Sequence, residues 1–114
     1  MMNEAQAKEL IETTIKDNDV VLFMKGTADF PMCGFSGKVT QILRYYQVNF
    51  KDINILDDET LRSTIKSFSN WPTIPQLYVK GEFVGGCDIV SEMAQEGELV
   101  EMFKSKGISV SDKS

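Results

Sequence analysis

A chain of 114 residues, 42% hydrophobic and 25% charged, is long enough to bury one core and too short for two ordinary domains. Its net charge of −5 and the lack of a long Lys/Arg run argue against a nucleic-acid partner, which needs a basic face to displace counterions from phosphate, although a local basic pocket stays open. The absence of histidine excludes Ser-His-Asp and Cys-His catalysis and His-ligated zinc, so an active thiol would have to be activated by cations, dipoles and hydrogen bonds.

The acidic, polar start from Asn3 to Glu12 lacks the basic-then-hydrophobic pattern of an export signal, so a soluble, unexported protein is expected. From Ala5 to Lys16 the residues Ala7, Leu10, Ile11, Thr14 and Ile15 fall on one helical stripe, which Asp17-Asn18-Asp19 ends in a turn. Val20 to Met24 is the longest apolar run, far short of the roughly 20 residues that cross a bilayer. Continuous and β-branched at its start, it predicts a central strand covered on both faces and stopped by Lys25-Gly26. Thr27 to Met32 holds a proline and an aspartate without periodicity and predicts a loop. Cys33-Gly34-Phe35-Ser36 then opens a helix whose buried side is Val39, Ile42, Leu43 and Tyr46.

Val48 to Ile55 is β-rich, and Leu56-Asp57-Asp58-Glu59 supplies capping and acidic first-turn residues for a helix carrying Leu61, Ile65 and Phe68. Beyond Asn70-Trp71-Pro72, the strands Gln76 to Val79 and Phe83-Val84 flank Lys80-Gly81-Glu82 as a hairpin. Gly85-Gly86 breaks the pattern before closing helices at about Ile89 to Gln95 and Leu99 to Lys106. The small, polar end from Gly107 to Ser114 is expected to fray, giving one domain over residues 1–107 and a tail over 108–114. This order implies an α/β fold, a mixed four-stranded sheet covered by helices on both faces.

Two cysteines, Cys33 and Cys87, are too few for a disulfide scaffold or for a four-ligand metal site within one chain, which points to a reducing compartment or to a site shared between molecules. At the start of a helix, Cys33 would face unpaired N–H groups and the positive end of the helix dipole, both of which favour its thiolate. The alternative is a small buried hydrophobe. Gly34 after it and the proline-containing loop before it favour exposure.

Cys33-Gly34-Phe35-Ser36 resembles the CGFS signature of monothiol glutaredoxins. Met24-Lys25-Gly26-Thr27, Trp71-Pro72-Thr73-Ile74-Pro75-Gln76 and Gly85-Gly86-Cys87-Asp88-Ile89 are similar to the same family in order and spacing, which extends the resemblance from about Val20 to Phe103. The resemblance implies a thioredoxin-like fold and a protein that binds glutathione and bridges a 2Fe-2S cluster between two subunits. Dithiol members of the family carry a second cysteine three positions after the first, where this chain has Ser36, so a two-cysteine shuttle is not expected. Cys33 would be the redox-active thiol and would supply one cluster ligand where four thiolates are needed. Two chains with two glutathiones would supply them in a cluster-loaded homodimer, which would serve iron-sulfur acceptor proteins.

Glutathione carries two carboxylates and an ammonium, so its site should offer cations, backbone edges and one acid. The resemblance puts Lys25 and Arg62 near the glycine carboxylate, and Gly34, Phe35 and Thr73 with Cys33 beside the ligand. It puts the backbone of Ile74, ahead of a cis bond to Pro75, against the cysteinyl moiety, and Cys87-Asp88 at the γ-glutamyl end. Without it, Lys25 reads as a solvated charge, Arg62 as a helix-surface charge, Pro75 as trans and Asp88 as the cap of the following helix. Gly85-Gly86 reads equally as a strand terminator, and Trp71 and Phe68 read as core. Cys87 stays open between a thiol that pairs with Cys33, a wall of the glutathione site and a half-buried residue.

Three functions follow: cluster storage and delivery, glutathione-dependent thiol-disulfide exchange that frees protein thiols, and a non-catalytic docking module. Ser36 and the loop between Gly26 and Cys33 favour the first. The expected compartment is the cytoplasm, or the mitochondrial matrix if a targeting peptide has been removed, with neither membrane nor nucleic acid as partner.

Overall fold

In the computed structural model, which describes residues 1–111, the first apolar stripe forms α1 (Glu4–Asp17). Asn3 caps it by accepting the Gln6 N–H at 2.8 Å, and the Gln6 side chain accepts the Asn3 N–H at 3.0 Å, so two otherwise unpaired donors are satisfied reciprocally. β1 (Val20–Met24) is buried along its whole length. It pairs in parallel with β2 (Lys51–Asn54) and antiparallel with β3 (Gln76–Val79), which pairs antiparallel with β4 (Glu82–Gly85). The strand order is β2-β1-β3-β4, a mixed four-stranded sheet as the sequence implies.

The alternation of side chains along β1 divides the core in two. Val20, Leu22 and Met24 pack with Val39 and Leu43 of α2 (Gly34–Tyr45), Val90 of α4 (Cys87–Gln95) and Leu99 and Phe103 of α5 (Glu98–Ser105). Val21 and Phe23 face Ala7, Ile11 and Ile15 of α1 and Leu61 and Ile65 of α3 (Glu59–Ser69) on the other side. Helices on both faces explain why β1 is apolar without interruption.

Some boundaries differ from the sequence reading. β2 does not begin at Val48, because Gln47 takes a positive φ of 55° and the Val48 N–H donates to Leu43 O at 3.0 Å, closing α2 instead of joining the sheet. Ile55 leaves the strand for a 3-10 turn over Ile55–Asp57, whose first free N–H, on Leu56, donates to Asn54 Oδ1 at 3.0 Å. Residues 108–111, expected to fray, are seated on the body: Ile108 is buried and donates its N–H to Phe103 O at 2.9 Å, and the Ser111 N–H donates to Tyr46 O at 2.7 Å. Residues 112–114 of that tail lie outside the described residues.

Candidate functional site

The segment after β1, expected to be a plain loop, is a small hairpin. Gly26 bridges to Pro31, Thr27 and Phe30 exchange backbone hydrogen bonds at 3.1 and 3.2 Å, and the Met32 N–H donates to Lys25 O at 2.9 Å. Gly26 is required at the turn: its φ is +87°, and a Cβ there would lie 2.5 Å from Phe30 O and 2.6 Å from Met32 N. Side chains of β2 hold the hairpin, with the Gly26 N–H donating to Asn54 Oδ1 at 3.0 Å and the Ala28 N–H to Asp52 Oδ2 at 2.8 Å. The fully buried Ser36 ties it to α2 by accepting the Lys25 N–H on its Oγ at 3.1 Å.

This frame fixes Cys33 as the N-cap of α2, in extended conformation. The thiol is half-buried and free. The Ser36 backbone N–H holds its pKa below the ordinary thiol value; partial burial opposes this, while the Phe35 N–H, the Lys25 charge and the Ser36 hydroxyl add to it. The sequence places a thiol at a helix start, and the structure supplies the donors that turn this into thiolate character.

The opposite wall is the segment between α3 and β3 together with the start of α4. Asn70 ends α3 in the left-handed conformation, and the Trp71 N–H donates to Lys66 O at 3.1 Å. The Ile74-Pro75 peptide is cis, as the resemblance implies. Gly86 lets the strand end pass close beneath this segment, since a Cβ on it would lie 3.2 Å from Pro75 O and 3.3 Å from Trp71 Nε1. Gly86 is also the N-cap of α4, which begins at Cys87, two residues earlier than the apolar pattern suggests. Asp88 therefore sits in the first turn and not at the cap, where its carboxylate remains exposed. Cys87 is half-buried and free, with its Sγ 3.9 Å from Ser91 Oγ.

Between the two walls lies a cleft of about 420 Å³. Lys25, Cys33, Phe35, Thr73, Ile74, Pro75, Cys87 and Asp88 all line it, as do Lys66, Trp71, Pro72, Gly86 and Ile89. It thus brings together a thiol of lowered pKa, two ammonium groups, one carboxylate and the N-terminal turns of two helices. Such a set can hold an extended anion that carries carboxylates, an amine and a sulfur.

Gly34 is the exposed first residue of α2 and Arg62 lies one turn before Lys66 on α3; neither is among the lining residues. The Arg62 Nε is buried without a hydrogen-bond partner. Sequence reasoning missed Lys66, whose position four residues after Arg62 on one helix was the available signal. Trp71, read as core, packs its ring on Phe83 at 5.6 Å between centroids and also lines the cleft. Phe68 is half-buried against Tyr78, with ring centroids 6.3 Å apart. Among the described residues, no group of three or more His, Cys, Asp or Glu could hold a metal ion, and no helix is long and apolar enough to cross a membrane.

The glutaredoxin family model matches residues 20–84. A Rickettsia typhi protein named probable monothiol glutaredoxin 2 is 55% identical over 105 residues, covering 92% of this chain and 95% of that protein. The chloroplastic monothiol glutaredoxin-S14 of Arabidopsis thaliana is 57% identical over 96 residues, 84% of this chain and 56% of that protein. Among solved structures, a monomeric truncated mutant of Trypanosoma brucei 1-C-Grx1 superposes with a TM-score of 0.84 at 42% identity, covering 93% of this chain and 96% of that one.

Proposed function

The chain belongs to the glutaredoxin family, with monothiol members as relatives and a thioredoxin-like fold, and from that premise we propose that it binds glutathione in the cleft and coordinates a 2Fe-2S cluster at a homodimer interface, for storage and transfer of the cluster to acceptor proteins. The observation that carries this reading is one cleft in which the Cys33 thiol, its pKa lowered, stands with Lys25 and Lys66. The buried Ser36 at the position of a second thiol supports it further.

In this reading Lys25 and Lys66 hold the glycine carboxylate of glutathione, with Arg62 one turn along the same helix. Phe35 and Thr73 flank the tripeptide and the backbone of Ile74 pairs with its cysteinyl part. The first N–H groups of α4, at Cys87 and Asp88, receive the γ-glutamyl carboxylate, and the Asp88 carboxylate receives the ammonium. The glutathione sulfur then lies beside Cys33. The cluster is cargo, and the donor set fits it only when shared: four thiolates are needed, and Cys33 with one glutathione from each of two chains supplies them. Phe30, Met32 and Phe35, exposed at 80%, 72% and 61%, flank Cys33 in the chain and give an apolar rim that a second chain or an acceptor can cover.

A second reading has its own support in the lowered Cys33 pKa. The thiolate attacks the glutathionyl sulfur of a protein mixed disulfide and the protein thiolate leaves; a second glutathione thiolate then attacks the Cys33-bound sulfur of glutathione, releasing Cys33 and glutathione disulfide. The compartment proposed for either activity is a reducing one, the cytoplasm, in which both cysteines stay free.

Anaerobic reconstitution of the full chain with iron, sulfide and glutathione tests the first reading. Wild type should give visible cluster absorbance and a dimer mass, Cys33→Ser neither, and Cys87→Ser both. Equal loss in the two variants would indicate a two-cysteine site instead. Turnover of a glutathionylated protein without any cluster would favour the second reading.

A further inference from the structure

Gln76 opens β3 opposite Phe23 of the central strand, and it is fully buried in a strand that is otherwise Leu77, Tyr78 and Val79. Its Nε2 donates to two main-chain carbonyls, of Trp71 at 3.1 Å and of Thr73 at 3.2 Å. Its Oε1 is buried with no hydrogen-bond partner. A buried amide oxygen left without a partner costs folding free energy, and a leucine or methionine of similar size would avoid that cost. The gain lies in where the two bonds go. One carboxamide NH2 holds two carbonyls that are two residues apart, and so spans the stretch Trp71-Pro72-Thr73 that forms one wall of the cleft and leads directly into Ile74.

Resting on the glutathione reading above, we propose that Gln76 is a positioning residue for the cleft: its carboxamide holds residues 71–73 in the shape that presents Ile74 to the ligand. Gln76 does not line the cleft and acts only through the segment it pins. Both bonds go to the wall segment and none to the sheet or the helices, which points to positioning of that wall. A wall held in its bound shape before the ligand arrives lowers the ordering cost of binding.

The test uses Gln76→Leu and Gln76→Met, which remove both the two donors and the unpaired oxygen while keeping volume. Three quantities are measured on the full chain: the thermal midpoint, hydrogen exchange without ligand at the Trp71 amide, which donates to Lys66 O, and the glutathione Kd by calorimetry. The expected result is a thermal midpoint kept or raised, faster exchange at the Trp71 amide and a Kd increased on the order of tenfold. The pH profile of Cys33 alkylation should be unchanged. A folded variant with wild-type Kd overturns the proposal, as does unchanged exchange at the Trp71 amide or loss of fold in both variants. Absence of glutathione binding by the wild type would be a failure of the functional reading, and the exchange measurement would still decide whether Gln76 pins the wall.

Discussion

With no histidine in the chain, the thiolate of Cys33 depends chiefly on groups that do not titrate near neutrality. The foremost is the Ser36 N–H, followed by the Phe35 N–H, with the Lys25 charge and the Ser36 hydroxyl behind them. Alkylation of Cys33 should therefore follow a single titration with a midpoint below the free-thiol value of about 8.5, and should level off above that midpoint. Lys25→Gln should move that midpoint part of the way back, because the backbone donors remain. A full return to the free-thiol value in Lys25→Gln would show that the lysine, and not the helix start, sets the reactivity. The position of Cys33 was legible in the sequence because helix periodicity begins right after it. Lys66 was not, since a lysine on an amphipathic helix looks solvated until the segment 71–75 is folded over it; Gln76 was hidden because nothing local marks a strand glutamine as buried.

The same distinction holds for whole elements. α1, β1 and β3 follow from their apolar patterns, but the start of β2 was settled by a competition for one N–H, that of Val48, which closes α2 rather than pairing in the sheet. The hairpin before Cys33 was likewise invisible, because its stability comes from Asp52 and Asn54 across the chain and from the turn at Gly26. Gly26→Ala should lower stability by more than about 1 kcal/mol, the usual penalty of a side chain at positive φ, since here the Cβ also meets backbone atoms that cannot rotate away. Urea unfolding measures this, and a variant as stable as wild type would mean that the hairpin adjusts freely. At the start of α3, Asp58 accepts the Met2 N–H at 2.9 Å as well as the N–H groups of Thr60 and Leu61, tying the chain's beginning to this helix. The Met2 bond is the largest cause holding its pKa below the ordinary carboxylate value, with burial opposed to it. A carboxyl with a folded pKa below its unfolded one stabilises above the unfolded value, near pH 4, and loses that contribution as pH falls through the folded pKa. The thermal midpoint of Asp58→Asn should thus fall below wild type at neutral pH, and the gap should close on acidification to pH 2. A gap independent of pH would assign the effect to geometry alone.

At the scale of the molecule, an acidic chain of net charge −5 presents two lysines to the cleft that is proposed to bind an anion, and in the cluster reading glutathione is an obligatory partner. Each chain offers one cluster cysteine in that reading, so the remaining thiolates must come from the ligand. Both lysines are half-exposed, so each contact with a carboxylate should contribute about 1 kcal/mol after solvent screening. Lys25→Gln with Lys66→Gln should then weaken glutathione binding by about 2 kcal/mol, roughly thirtyfold in Kd. Arg62→Gln is the discriminating single variant: its side chain is not among the lining residues, so its loss should be smaller than that of Lys66→Gln, and the reverse order would return the carboxylate to Arg62. Cluster absorbance followed against glutathione concentration should show the double variant displaced to higher glutathione but reaching the wild-type plateau, because mass action can replace lost affinity while leaving the thiolates intact. Subunit mass should change in step with absorbance. A cluster-loaded monomer, or a dimer that keeps its cluster after all glutathione is removed, would exclude the shared-ligand arrangement, whatever the affinity of the cleft for glutathione.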